Sequence, residues 1–205
     1  MMVSSNSRKV RELAFRQELL LEAAEKVFVE RGFAGASVEN IARRGGVALA
    51  TLYKSLPSKE AIFIRVMERR QQDFLRALRE GSQSGAPLAR LEAVVRITVG
   101  YFVEHGDIFR MYLAATQGFP WHIRSGLGEE FFANYAGFID YVESLCREAL
   151  PRSRRAAART VAVSFLGATN TFLTDRFAGP RRKRAAGDDP AAELWDVVRA
   201  LVSPP

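Results

Sequence analysis

One cysteine, two histidines and no long apolar run are the first constraints that this 205-residue chain imposes. The single Cys146 excludes an intrachain disulfide framework and fits a reducing compartment. His105 and His122 lie far apart without metal-ligand spacing, and Cys146 has no partner arrangement, so no metal and no cofactor is expected. There is no glycine-rich phosphate loop and no dinucleotide fingerprint. No apolar run approaches the roughly 20 residues that a spanning helix needs. The first residues, MMVSSNSRKVRELAF, are basic but lead into no apolar stretch of the signal-peptide kind, which makes the cytoplasm the expected compartment.

What is present is a basic, helical chain. The formal net charge of +7 favours nucleic acid or an anionic membrane surface as a partner, with the distribution of charge mattering more than its sum. Apolar residues recur at the helical period almost throughout, and strand-like alternation is nearly missing, so the expected fold is all-α with about nine helices. Leu20, Ala23, Ala24, Val27 and Phe28 form one stripe on a helix over residues 15–31. Gly32 supplies a left-handed cap there, with Phe33 packing back on the last turn. Ser37 caps a short helix through Val38, Ile41 and Ala42. A second short helix covers residues 48–55, Pro57 stops it, and Ser58 caps a longer one with Glu60 in its first turn. Residues 81–87 form a linker-like stretch. Further helices are expected over residues 88–106, 107–116, from Phe131 to before Pro151, over 153–177, and around Leu194 to Leu201. Residues 118–128 and 178–190 read as loops.

The informative segment is residues 37–56, SVENIARRGGVALATLYKSL. Two helices too short to stand alone, joined by a glycine turn, read as a helix-turn-helix. Ala42 is small where the second helix crosses, and Gly46 takes a turn conformation that strains other residues. Ile41, Val47 and Leu52 point inward. The outward residues of the second helix then meet the major groove, where base edges carry a distinguishable pattern.

The run from Leu20 to Phe63 resembles the DNA-binding region of the TetR family. The matching pieces are AAEKVF at 23–28, GF at 32–33, SV at 37–38, IA at 41–42, GV at 46–47, TLY at 51–53 and PSKE at 57–60. The resemblance implies roles. Ser37 and Thr51 stand where the family contacts phosphates, and Tyr53 where it touches backbone or a thymine methyl. Lys54 and Lys59 take backbone-facing positions, and Arg43 and Arg44 end the first motif helix within reach of DNA. Leu49 departs from a position often polar in the family, and Ala50 from a frequent glycine, so the operator sequence is not legible. The implied organisation is a flexible basic arm over 1–15, holding Arg8, Lys9 and Arg11, a helix-turn-helix domain over 16–62, and a ligand-binding and dimerisation domain over 63–205.

In the second part, Val161, Val163, Phe165, Leu166, Phe172 and Leu173 lie around much of one helix, while Leu194, Trp195, Val198 and Leu201 stripe the last. The resemblance places both helices at a homodimer interface, although the pattern alone also fits a core within one chain. An aromatic group is the expected ligand-binding site: Phe102, Phe109, Tyr112, Trp121, Phe131, Tyr135 and Phe138. The resemblance implies a ligand-responsive repressor that binds palindromic double-stranded operator DNA as a homodimer and is released by a small hydrophobic or aromatic effector. Two other classes stay open from the residues alone. One is a helical enzyme. The other is a peripheral membrane protein using Arg181, Arg182, Lys183 and Arg184.

Overall fold

The computed structural model describes residues 5–113, 128–178 and 188–202. Nine α-helices and no strand occur among them. They are α1 (Ser5–Gly35), α2 (Val38–Arg44), α3 (Leu49–Ser55), α4 (Lys59–Gly81), α5 (Pro87–Glu104), α6 (Gly106–Leu113), α7 (Glu129–Ala149), α8 (Ala158–Ala178) and α9 (Pro190–Val198). Two 3₁₀ turns, Arg152–Ala157 and Arg199–Leu201, precede α8 and follow α9.

The all-α expectation holds, and the local punctuation explains most element ends. The Ser37 hydroxyl accepts from the Asn40 N–H at 3.2 Å, and the Ser58 hydroxyl accepts from the Ala61 N–H at 3.1 Å. Asp189 accepts from the N–H groups of Ala191 and Ala192 at 3.1 Å each, with Pro190 at the first helical position. Gly32 does leave the helical region, at φ 66° and ψ 171°, but the chain resumes a last turn to Gly35. Two expectations are corrected. Residues 5–15, expected to form a flexible arm, continue α1, with Arg16 paired to Glu12 at 2.7 Å on its surface. The eighth helix begins at Ala158, because the chain after Pro151 first makes a tighter 3₁₀ turn. The loop expected over residues 118–128 lies, up to Leu127, outside the described residues. So does most of the loop expected over 178–190.

The residues fall into two compact units, and the boundary lies within α4, between Arg70 and Gln71. The boundary drawn from sequence, between 62 and 63, falls earlier in the same helix.

The first unit closes α1, α2, α3 and the start of α4 around Phe28, Ile41, Leu52, Ile62, Phe63 and Val66, all at most 2 % exposed. Phe63 meets Phe28 edge-on at 5.2 Å and Phe33 at 5.3 Å. Phe33 stacks on Phe28 at 6.0 Å, which is the packing-back expected after Gly32. Carboxylates on α1 meet arginines on α4: Glu18 and Glu22 hold Arg69 at 2.9 and 3.3 Å, and Glu25 grips Arg70.

In the second unit α5 packs on α7, α8 and α9. Leu91, Val95, Val142, Leu145, Phe165 and Val198 are fully buried there. The turn between α4 and α5 is pinned rather than loose. Tyr141 donates to the Ser82 carbonyl at 2.7 Å, and the Ser82 hydroxyl donates to the Leu78 carbonyl at 2.6 Å. Cys146 is fully buried in this core, and burial, helped by the charge of Glu143, pushes its thiol up to about 11. Only the thiolate attacks disulfides, and at pH 8 a thiol of that pKa is ionised in about one molecule in a thousand. The native chain is therefore expected to resist an aromatic disulfide reagent at pH 8 and to release one equivalent on unfolding in denaturant. Fast reaction of the native chain would contradict this burial.

Candidate nucleic-acid interface

The helix-turn-helix is built from its turn outward. Gly46 adopts φ 63°, the left-handed conformation that the sequence demanded of it. Around it the Val47 N–H returns to the Ala42 carbonyl at 3.0 Å, and the Gly46 N–H to that of Arg43 at 3.4 Å. These two bonds make a Schellman cap that ends α2 and fixes where α3 begins. Ile41 and Ala42 of α2 and Leu52 of α3 are buried behind it, as expected, while Val47 is half-buried.

With Leu52 inward, the rest of α3 faces out. Leu49 and Tyr53 are 37 % and 43 % exposed, and Ala50, Thr51 and Lys54 are exposed beside them. Five of the nine expected DNA contacts thus share one uncovered helix face. Arg43 is exposed at the end of α2. Arg44 is partly committed elsewhere, since its guanidinium meets Glu30 of α1 at 2.5 Å. That contact holds the Glu30 carboxyl below its usual range and raises Arg44. Both arginines border a shallow cleft of about 210 Å³ with Val27, Glu30, Arg31 and Asn40. Ser37 is half-buried in its capping role, and its hydroxyl also meets Glu39, whose carboxyl is lowered first by its own backbone N–H and then by Ser37.

Lys59, expected to face the DNA backbone, engages groups of its own unit. Its ammonium donates to the carbonyls of Phe33 at 2.8 Å and Ala36 at 3.1 Å, and lies 4.5 Å from the centre of the Phe33 ring. The expected phosphate ligand is folded into its own domain. No local pattern announces this, because the acceptors lie 26 and 23 residues away.

In the second unit, three of the expected ligand-site residues come together. Phe102 meets Phe109 at 4.9 Å, and both Phe102 and Phe138 meet Phe74, at 5.7 and 5.6 Å. Tyr101 of the same aromatic-rich stretch joins the cluster, and so do Phe74 and Phe177, which were not among the expected residues. Gly106 admits the Phe177 ring, which a Cβ there would meet at 3.1 Å. Phe131 is buried against Phe132, Tyr135 is 41 % exposed, Trp121 lies outside the described residues, and of Tyr112 only the backbone is described. On α5, one turn before Phe102, the buried Thr98 hydroxyl has no hydrogen-bond partner among the described residues.

The side chains expected at the dimer interface are largely buried within the single chain. Val161, Phe165, Leu173, Leu194, Trp195 and Val198 are each at most 8 % exposed within a single chain, and Leu201 is half-buried. These large side chains close the chain's own core. The face that α8 leaves open carries Thr160, Val163, Ser164, Gly167 and Thr171, with Val163 51 % exposed. On α9, Val197 is 67 % exposed.

The described residues are helical, and an exposed short helix framed by a Schellman-capped turn, with a second helical core after it, has the build of a helix-turn-helix protein. Comparison with known proteins makes the class specific. Residues 20–66 match the family "Bacterial regulatory proteins, tetR family". The chain is 27 % identical over 146 residues to the HTH-type transcriptional regulator RutR of Escherichia coli K12. That alignment covers 70 % of this chain and 66 % of RutR, just under two thirds of its length. Among solved structures it is similar to FadR of Bacillus subtilis in complex with stearoyl-CoA, with TM-score 0.70 and 18 % identity over 91 % of this chain and 98 % of that one. It is also similar to AibR in complex with isovaleryl coenzyme A and operator DNA, with TM-score 0.65, 21 % identity and the same coverage, 91 % and 98 %. Residues 20–66 thus carry a DNA-binding region of the tetR kind, and the described helices share the fold of TetR-like regulators.

Proposed function

We propose that this protein is a ligand-responsive, DNA-binding transcriptional regulator rather than an enzyme, acting in the cytoplasm as a homodimer on palindromic duplex DNA. The observation that carries the reading is the uncovered face of α3, where Leu49, Ala50, Thr51, Tyr53 and Lys54 stand together beyond a rigid turn. A helix so presented fits the major groove. Arg43 adds a backbone contact at the end of α2, and Arg44 a weaker one shared with Glu30. Two-fold operator symmetry calls for two such heads. The open face of α8, with Val197 of α9, is the surface we assign to the dimer.

The second unit supplies the sensor. We place a small, largely apolar effector at the ring cluster of Phe102, Phe109 and Phe138, with the unpartnered Thr98 hydroxyl one turn away on α5 as a polar anchor. The acyl group of a coenzyme A thioester suits such a site, and the FadR and AibR structures hold ligands of that kind. No helix among the described residues is long and apolar enough to cross a membrane.

The reading is tested by selecting bound duplexes from a random pool and titrating the winner. Binding should weaken with salt, by about 0.9 log unit per log unit of salt for each phosphate neutralised. Tyr53→Ala should lower affinity roughly ten- to a hundredfold, with the melting temperature unchanged, since it removes one exposed contact. An acyl-CoA added to the complex should release the duplex. No duplex enriched from the pool would sink the proposal.

A further inference from the structure

Lys59 stands in an unfavourable place for its own helix. It is the first residue of α4, where the helix dipole is positive and a cation is disfavoured. Glu60, the next residue, follows the ordinary rule. The lysine is explained by a different helix end. At the close of α1 the chain turns through Gly32 and becomes extended at Ser37, φ −128° and ψ 156°, so the last carbonyls of α1 lose the donors of a continuing helix. The Asn40 N–H, which would have served Ala36, is taken by the Ser37 hydroxyl. The Lys59 ammonium fills the gap. It serves the Ala36 and Phe33 carbonyls together and rests over the Phe33 ring, so a cation sits at the negative end of α1. Phe33 in turn packs on Phe28 and Phe63, which ties the arrangement into the core of the unit.

Ala36 immediately precedes Ser37, the cap of α2, so whatever fixes the Ala36 carbonyl fixes the amino end of α2. We infer that Lys59 is a positioning residue for DNA binding: its ammonium locks the corner between α1 and α2, and thereby the amino end of α2, and it does not itself meet phosphate. The inference rests on the DNA-binding reading above. A recognition surface must be held to about half an ångström by the residues behind it, and loosening this corner therefore weakens binding without removing a charge from the interface.

The test compares Lys59→Met with Lys54→Met in the full chain, by duplex titration at several salt concentrations and by thermal unfolding. Lys59→Met is expected to weaken binding about five- to thirtyfold at every salt concentration, to leave the salt slope at the wild-type value, and to lower the melting temperature by roughly 5–10 °C, the scale of lost hydrogen bonds to a charged group. Lys54→Met, on the exposed face, should reduce the slope by about 0.9 for each phosphate released and melt like wild type. Should Lys59→Met fail to fold, Lys59→Gln, which keeps a neutral donor, is titrated in its place, and the unchanged slope is again the expected result. A slope that falls as in Lys54→Met, with unchanged melting, overturns the inference and makes Lys59 a phosphate ligand. No change in either quantity overturns it too. Failure of the wild-type chain to bind any duplex sinks the DNA-binding reading itself, and that outcome is distinct from both.

Discussion

Glu25→Ala will destabilise the helix-turn-helix unit by about 2–4 kcal/mol and lower the melting temperature by roughly 5–15 °C. Among the described residues of that unit, Glu25 is the one buried carboxylate, 9 % exposed, and Arg70 grips both of its oxygens, with the Nε–Oε2 arm at 2.7 Å. Taking two charges out of water is costly, and the cost is met only while each faces the other. Alanine takes from the mostly buried Arg70 guanidinium the carboxylate that meets it on two arms, between α1 and α4. The loss falls somewhat below that of a fully buried pair because the Glu25 and Arg70 side chains retain 12 % and 20 % of their exposure. Glu12→Ala provides the contrast. Its partner Arg16 is 69 % exposed, Glu12 itself is 56 % exposed, and such surface pairs contribute about 0–1 kcal/mol. Glu25→Leu combined with Arg70→Met should recover much of the loss, since apolar replacement of a whole buried pair is often neutral. Urea unfolding of the wild type and the three variants checks the argument. If Glu25→Ala and Glu12→Ala cost the same, the buried pair is not a stabilising element of this unit.

The features legible from sequence are those whose partners lie within one helical turn. The caps at Ser37 and Ser58 reach N–H groups three residues on, and the left-handed turn at Gly46 closes on Arg43 and Ala42. The outward face of α3 follows from the same local periodicity once Leu52 is assigned inward. Whatever depends on distant partners was hidden. Lys59 finds its acceptors across the corner of α1, and Arg70 finds Glu25 at a separation of 45 residues. Phe74 and Phe177 join the ring cluster from α4 and α8, and nothing in their own helices marks them for it. The helix start at Ser5 was hidden for another reason, because a polar, basic stretch gives no apolar stripe to read. In α8 the difficulty is one of kind. Apolar residues on several sides of a helix say that several sides are covered, but not whether the cover comes from the same chain or from a second copy.

That ambiguity yields the second large effect, a pair of aspartate substitutions with opposite consequences. Val198→Asp will unfold the protein. Val198 is fully buried in the second unit, among residues that include Leu194 and Trp195, and an unpaired carboxylate there costs more than about 4 kcal/mol. Circular dichroism should therefore report lost helix or early aggregation, not a folded monomer. Val163→Asp places the same charge on the open face of α8, where half the side chain already meets solvent, and should change the stability of the chain by no more than about 0.5 kcal/mol. If that face is the dimer seam, a two-fold axis brings it against its own copy, and the charge meets its image across the axis. Like charges facing each other in an interface cost several kcal/mol, enough to weaken the dimer by roughly a hundredfold or more. The small residues Thr160, Ser164, Gly167 and Thr171 suit such a seam because they let two helices approach closely, and the space beyond Gly167 is empty in the single chain. Light scattering coupled to size exclusion should thus find Val163→Asp helical and monomeric at concentrations where the wild type is dimeric. A Val163→Asp protein that stays dimeric would move the seam off this face. A Val198→Asp protein that stays folded and merely dissociates would restore the buried stripe as the interface.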